Sequence, residues 1–171
     1  MSPVPAPLVI GLGGNVGDDA AIQARFASAR AAIARWCGGP ARSAALYRTA
    51  PIGPAQPAFL NTAIAVDAGA ATPAAVVAAL QAIEAAHGRD RAREQRWGPR
   101  SLDLDVLIWG TRALATPALT VPHPRLGDRR FALAPLAELV GDDFVVPGVG
   151  RVGARLAAVA AQGCARVADA W

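Results

Sequence analysis

The stretch Arg96-Trp97-Gly98-Pro99-Arg100-Ser101-Leu102-Asp103-Leu104-Asp105-Val106-Leu107-Ile108 decides how the rest of this chain is read. It begins in a basic segment broken by Gly and Pro and runs into an apolar, branched run interrupted only by Asp103 and Asp105. A strand alternates faces, so the two carboxylates point one way while Leu102, Leu104 and Val106 point the other, into a core. Residues two apart on one face sit about 7 Å apart at Cα, close enough to converge on a shared cation. Left unneutralised, two like charges there would cost stability. Arg100 and the arginines before it call for an anionic ligand as well. An acid pair beside a guanidinium cluster reads as Mg²⁺ plus polyphosphate. The plain alternative is a solvated strand face with Asp paired to Arg, since isolated D-x-D matches are common.

The 171 residues are enough for one domain with a real core. No apolar stretch reaches the ~18 residues of a membrane span. Met1–Pro7, with Pro at 3, 5 and 7 and no basic start, is expected to be a disordered lead-in, leaving residues 8–171 as a single domain. Cys37 and Cys164 form neither a disulfide framework nor a metal motif, which suits a reduced, cytoplasmic protein. Every one of the 17 basic residues is an arginine. That excludes a P-loop lysine, a Schiff-base lysine and a lysine general base, so any phosphate must be held by Arg forks, backbone N–H groups and metal. Arg89, Arg91, Arg93, Arg96 and Arg100 concentrate the charge.

In chain order, Leu8–Leu12 reads as a buried strand followed by a Gly-rich turn, Gly13–Gly17. The turn lacks both G-K-[ST] and the full G-x-G-x-x-G, so tight strand-to-helix packing is its expected role. Asp18 and Asp19 cap a helix whose buried stripe is Ile22, Phe26, Ala29, Ile33 and Trp36, ending at Cys37-Gly38-Gly39-Pro40. Ser43–Thr49 is a second strand, and Ala50–Ala58, with proline at every third position, is a stiff pocket wall. Phe59–Val66 is a third strand with Phe59 and Asn61 on one face. Thr72-Pro73 starts a helix with Val76, Val77, Leu80 and Ile83 inward, and Gly88 stops it. Gln81 and Glu84 read as a polar pair on its solvated side. Arg89–Gln95 has no periodicity or apolar anchor, so a loop held open by repulsion among its arginines is expected. After the acidic strand come a turn at Trp109–Thr111 and a hairpin return at Arg112–Leu114. His123 is fixed between two prolines, beside Arg125, Arg129 and Arg130, and is a candidate ligand contact. Ala134–Val140 and Arg151–Gln162 read as the last helices. Strand, helix, strand, strand, helix, strand makes an α+β chain with a ferredoxin-like βαββαβ core: an antiparallel sheet, with added C-terminal elements completing three α/β/α layers.

Gly11-Leu12-Gly13-Gly14-Asn15, Tyr47–Gly53, Phe59-Leu60-Asn61, Gly88-Arg89, Arg96–Asp105 and Val121-Pro122-His123-Pro124-Arg125, in this order, resemble the 6-hydroxymethyl-7,8-dihydropterin pyrophosphokinases of folate biosynthesis. The likeness covers roughly residues 8 to 147. It implies transfer of the pyrophosphoryl group of ATP, the co-substrate, to the pterin's hydroxymethyl oxygen, releasing AMP. By position, Asp103 and Asp105 resemble the ligands of two Mg²⁺ ions, and Arg89 and Arg100 the arginines on the transferring phosphates. Thr49, Ala50, Ile52, Phe59, Asn61, Trp97 and Phe131 match the pterin pocket. Gln81, Glu84, Arg93, Arg96, His123, Pro124 and Arg129 fall at or near nucleotide-contacting positions, with Ile108 a weaker match. Gly14 stands where the family usually has Ser, Ala50 where Pro is frequent, and a loop one residue longer blurs the place of Arg93. The chain is expected to act as a monomer, with no nucleic-acid or membrane partner.

Two other functions compete. A nucleotidyltransferase would place D-x-D soon after the Gly-rich turn, whereas Asp103 lies about ninety residues on. An RNA-binding module on this topology needs paired aromatics on its central strands. Leu8–Leu12 and Leu102–Ile108 have none, and their acids would face the phosphate backbone.

Overall fold

The computed structural model describes residues 7–171; the expected lead-in, apart from Pro7, lies outside the described residues. The chain forms β1 (Leu8–Gly14), α1 (Asp19–Cys37), β2 (Arg42–Ser43), β3 (Leu46–Thr49), β4 (Phe59–Val66), α2 (Pro73–Ala86) and β5 (Asp103–Trp109). There follow β6 (Leu114–Ala115), β7 (Thr120–Val121), α3 (Arg130–Val140), β8 (Val145–Val146), β9 (Gly150–Arg151), α4 (Val152–Ala158) and β10 (Ala165–Ala168). The main sheet runs β10-β3-β4-β1-β5, every pairing antiparallel, with β2 beside β4. This is the ferredoxin-like order with one extra strand at its edge.

Each face of the sheet is covered. Leu8, Ile10 and Leu12 of β1 pack with Ile22, Phe26, Ala29 and Ile33 of α1 and Val76 and Leu80 of α2. Val9, Ala63, Ala65, Leu107 and Ile108 turn the other way, onto Leu133, Leu136 and Leu139 of α3 and Val152 of α4. The Asp18 side chain caps α1 by accepting from the N–H of Ala21 at 2.8 Å, and Gly38 closes it in the left-handed region, φ 71°. Thr72 caps α2 in the same manner. Both caps were expected from residue type.

Several expectations need correcting. Trp36 is 40% exposed, because the helical spacing carries on one turn past Ile33, the last buried residue of α1. The Gly-rich segment is strand rather than turn as far as Gly14. Its missing side chains let neighbours close in: a Cβ on Gly14 would stand 2.8 Å from the Ser101 carbonyl. The strand expected at Ser43–Thr49 is broken at Ala44–Ala45, where the Ala45 N–H turns to Glu138 and the Ala44 carbonyl accepts from Thr62 Oγ1 and Trp171 Nε1. The hairpin return is at Leu114–Ala115, paired with β7. α3 starts four residues earlier than expected, since Ala132 and Leu133 also bury. The last helix stops at Ala158. Gln162 is instead drawn across to the start of α3, accepting from the Arg130 N–H and donating to the Asp128 carbonyl. The chain then returns as β10, a strand the sequence reading did not include.

Candidate active site

The acidic face of β5, the strand ends of β1 and β4, and the loops before β4 and β5 enclose one cleft. It measures about 350 Å³ and is lined by Thr49, Ala50, Ile52, Phe59, Asn61, Arg89, Trp97, Arg100, Asp103, Asp105, His123, Arg129 and Phe131 among others. All seven residues matched to a pterin pocket and all four matched to catalysis are in it. A smaller recess of about 50 Å³ shares Asn61, both acids, His123, Arg129 and Phe131.

Register explains the gathering. Gly13 of β1 pairs with Asn61 on one side and Asp103 on the other, and Gly11 pairs with Asp105. Glycines between an amide and two acids leave room above the sheet: a Cβ on Gly13 would come within 3.1 Å of the Asn61 amide oxygen. Asn61 is buried, and its Nδ2 donates to Thr49 Oγ1 at 2.7 Å, which fixes the amide plane.

The two acids differ. Asp103 accepts from Arg89 Nη1 at 2.6 Å and its side chain is 36% exposed. Asp105 has no such partner among the described residues. Burial, then the charge of Asp103, push its carboxyl up to about 6, against the opposing pull of Arg129. A half-buried carboxylate beside another is a place prepared for a cation. Among the described residues no three His, Cys, Asp or Glu side chains converge. The donor set therefore fits Mg²⁺, which takes one or two carboxylates and completes its shell with water and phosphate oxygens, and does not fit an all-protein metal cage.

His123 is held between cis Pro122 and Pro124, its N–H bonded to the Leu107 carbonyl. Burial first, then Arg129 and Arg125, lower its pKa in spite of Asp103. Its Nδ1 accepts the Arg125 N–H at 3.1 Å, so the neutral ring carries its proton on Nε2. Trp97 has guanidiniums of Arg125 and Arg96 at 5.2 and 5.6 Å from its ring, and Arg129 lies 5.5 Å from the Phe131 ring.

The remaining candidates lie apart. Gln81 and Glu84 line a neighbouring cavity of about 330 Å³ with Arg89 and Arg91. Glu84 is not on a solvated face: it is 1% exposed, accepting from Arg89, Arg91 and the Leu104 N–H. Its position, four and eight residues after Leu80 and Val76, is the buried stripe itself, and that spacing was the available signal. Arg93, Arg96 and Pro124 are exposed and line neither cavity. Nor is the basic loop held open by repulsion, for Arg89, Arg91 and Arg93 pair with Glu84, Glu94 and Asp90.

Asn15 is a further residue the sequence reading left without a role. It is 1% exposed; its Nδ2 donates to Gln56 Oε1 and the Pro57 carbonyl, and its Oδ1 accepts the Arg100 N–H, all at 2.9 Å. Gln56 in turn donates to the Trp97 carbonyl at 2.7 Å. Gly53, at φ 104°, lies where a Cβ would meet the Trp97 Cβ at 2.7 Å. Asn15 thus staples both cleft loops to the end of β1. Asn15→Ala is expected to cost about 1–3 kcal/mol of stability in urea unfolding, because partners buried with it lose their bonds.

The chain is similar to proteins of a known family. Residues 9–141 match the family described as 7,8-dihydro-6-hydroxymethylpterin-pyrophosphokinase. A 2-amino-4-hydroxy-6-hydroxymethyldihydropteridine pyrophosphokinase of Synechocystis sp. is 38% identical over 144 residues, covering 84% of this chain and 70% of the relative. One from Pseudomonas aeruginosa is 49% identical over 98 residues, 57% of this chain and 59% of its own. A crystal structure of an HPPK-DHPS in complex with substrates superposes with a TM-score of 0.62 at 10% identity, over 91% of this chain and 45% of that one, a likeness of fold.

Proposed function

This chain belongs to the 7,8-dihydro-6-hydroxymethylpterin-pyrophosphokinase family, and from that premise we propose that it transfers the pyrophosphoryl group of ATP to the hydroxymethyl oxygen of 6-hydroxymethyl-7,8-dihydropterin, releasing AMP. The observation that carries the reading is the cleft in which a fixed amide, three aromatic rings, three arginines and an acid pair meet. Asn61 and Thr49 take the polar edge of the pterin, while Phe59, Phe131 and Trp97 cover its faces and Ala50 and Ile52 close the side. Arg89 and Arg100 take the phosphate oxygens. His123 offers its Nε2–H to the same anion, and Arg129 adds positive charge beside it. Gln81, Glu84, Arg93, Arg96 and Pro124 belong to the nucleotide's surroundings, Glu84 by holding Arg89.

Asp103 and Asp105 would hold two Mg²⁺ ions, which would neutralise and orient the triphosphate. The hydroxymethyl oxygen bonds to the β-phosphorus as the bond to the α,β-bridging oxygen breaks; AMP leaves with that oxygen, and the hydroxyl proton passes to solvent. Such a transfer asks the protein mainly for position and charge, which is why no nucleophilic side chain is needed. The apolar walls keep water from competing. Residues 8–171 act as one catalytic unit in this reading, a cytoplasmic monomer; among the described residues no helix is long and apolar enough to cross a membrane.

The test is chromatography of ATP, 6-hydroxymethyl-7,8-dihydropterin and Mg²⁺ with the protein: AMP must appear, and pyrophosphate released instead would mean nucleotidyl transfer. Asn61→Ala is expected to weaken pterin binding about tenfold or more while leaving an ATP analogue near its normal affinity. Calorimetry that finds both ligands equally weakened would make Asn61 a structural residue.

A further inference from the structure

Every edge of the Arg89 guanidinium is taken by a carboxylate of this chain. Nη1 donates to Glu84 and Asp103, while Nε and Nη2 donate to the two oxygens of Glu94 at 2.5 and 3.2 Å. The last pairing is the side-on fork that a phosphate also uses on arginine. Arg100 Nε lies 3.6 Å from the same Glu94 oxygen. One carboxylate therefore stands between the two arginines assigned to the transferring phosphates. A phosphate can take the Nε–Nη2 fork of Arg89 only by replacing Glu94.

The three partners are not equally free to go. Glu84 is 1% exposed and also anchors Arg91 and the Leu104 N–H. Asp103 is fixed in β5, paired with Gly13. Glu94 rides on the loop, and among the described residues it pairs with Arg89 and Arg100 alone. Burial works to raise its pKa, yet the hydrogen bond and charge of Arg89, with Arg100 and Arg91 behind, hold it below the ordinary glutamate value. It is an anion kept in place by the two cations.

We infer that Glu94 is an internal counter-anion occupying the place of a nucleotide phosphate between Arg89 and Arg100, and that polyphosphate binds by exchange with this carboxylate. The inference rests on the function proposed above and assigns a specificity-setting residue to the same site. Exchange favours ligands whose charge between the two arginines exceeds that of one carboxylate. A triphosphate meets that condition, whereas AMP, lacking the β- and γ-phosphates, does not and gives the position back to Glu94. The same carboxylate thus lowers affinity for the nucleotide and discriminates between substrate and product.

Calorimetric titration of Glu94→Gln with a non-hydrolysable ATP analogue and, separately, with inorganic tripolyphosphate, both with Mg²⁺ and without pterin, tests the exchange. Glutamine keeps the volume but replaces charge-assisted bonds by neutral ones, so both ligands are expected to bind about five- to tenfold more tightly than to wild type. Glu94→Asp, which keeps the charge, returns toward wild-type affinity. Asp90→Asn removes one charge from the same loop at a carboxylate that pairs with Arg93 and not with the Arg89 guanidinium, and an equal tightening there would overturn the inference in favour of a general field effect. Unchanged or weaker binding by Glu94→Gln would overturn it too, making Glu94 a prop that positions the arginines. A wild type that yields no AMP would sink the proposed reaction, whereas tripolyphosphate binding still reads the exchange directly.

Discussion

Asp105→Asn is expected to lose nearly all turnover and yet make the protein, without ligand, more stable at neutral pH. The folded state raises the Asp105 pKa from the ordinary 3.8 to about 6, through burial and the neighbouring Asp103. A raised carboxyl pKa means that the folded state binds the proton more tightly than the unfolded one. Stability is then greatest near pH 4 and below, falls as the pH rises from about 4 to about 6, and stays reduced above that. Asparagine carries no charge to bury, so the variant should gain on the order of 1–3 kcal/mol at pH 7.5 and little at pH 4. Thermal unfolding at both pH values, beside an AMP assay, reads both halves. Asp103→Asn should lose turnover as well but gain no stability, because Asp103 is paired with Arg89. Near-full turnover of either variant at ordinary Mg²⁺ would remove the acids from the reaction.

Arg89→Ala is expected to fail in both fold and chemistry, Arg100→Ala in chemistry alone. Without Arg89, Glu84 stays buried with one arginine and one N–H, and Asp103 and Glu94 lose their common partner. Stranding a buried charge of this kind costs about 3 kcal/mol or more. A double variant with Glu84→Gln should recover much of that stability in urea unfolding without recovering turnover. Arg100 instead donates to the carbonyls of Gln95, Gly98 and Pro99 within its own loop. Its loss should leave stability within about 1 kcal/mol of wild type and lower kcat by about 10²-fold. A stable, active Arg89→Ala would contradict the buried cluster outright.

The parts of this molecule that were legible in the sequence are those set by local chemistry. Alternation placed Asp103 and Asp105 opposite Leu102, Leu104 and Val106, and residue type alone placed the caps at Asp18 and Thr72. The site residues came mainly from likeness to a family, since spacing says that Asn61 and Asp103 share faces with others but not that Gly13 sits between them. What escaped was set by distant contacts. β10 is a short, largely exposed edge strand whose only pattern is its partner, β3. Glu84 looked solvated because it is charged, although its place on the stripe of α2 said otherwise. Glu94 was hidden for a different reason: two acids among five arginines read as balance, and only three-dimensional proximity shows which two arginines Glu94 bridges.

The central place of β1 fixes the order in which this protein can come together. Its partners β4 and β5 begin at Phe59 and Asp103, while its own residues are made first. The pairing of Gly13 with Asp103 closes a loop of roughly ninety residues, a contact of the kind that slows assembly. During synthesis β1 must therefore wait, one edge uncovered, until the chain beyond Trp109 has emerged. The carboxylate pair reaches its neighbours only when the sheet is completed, so a partly assembled chain carries no working site.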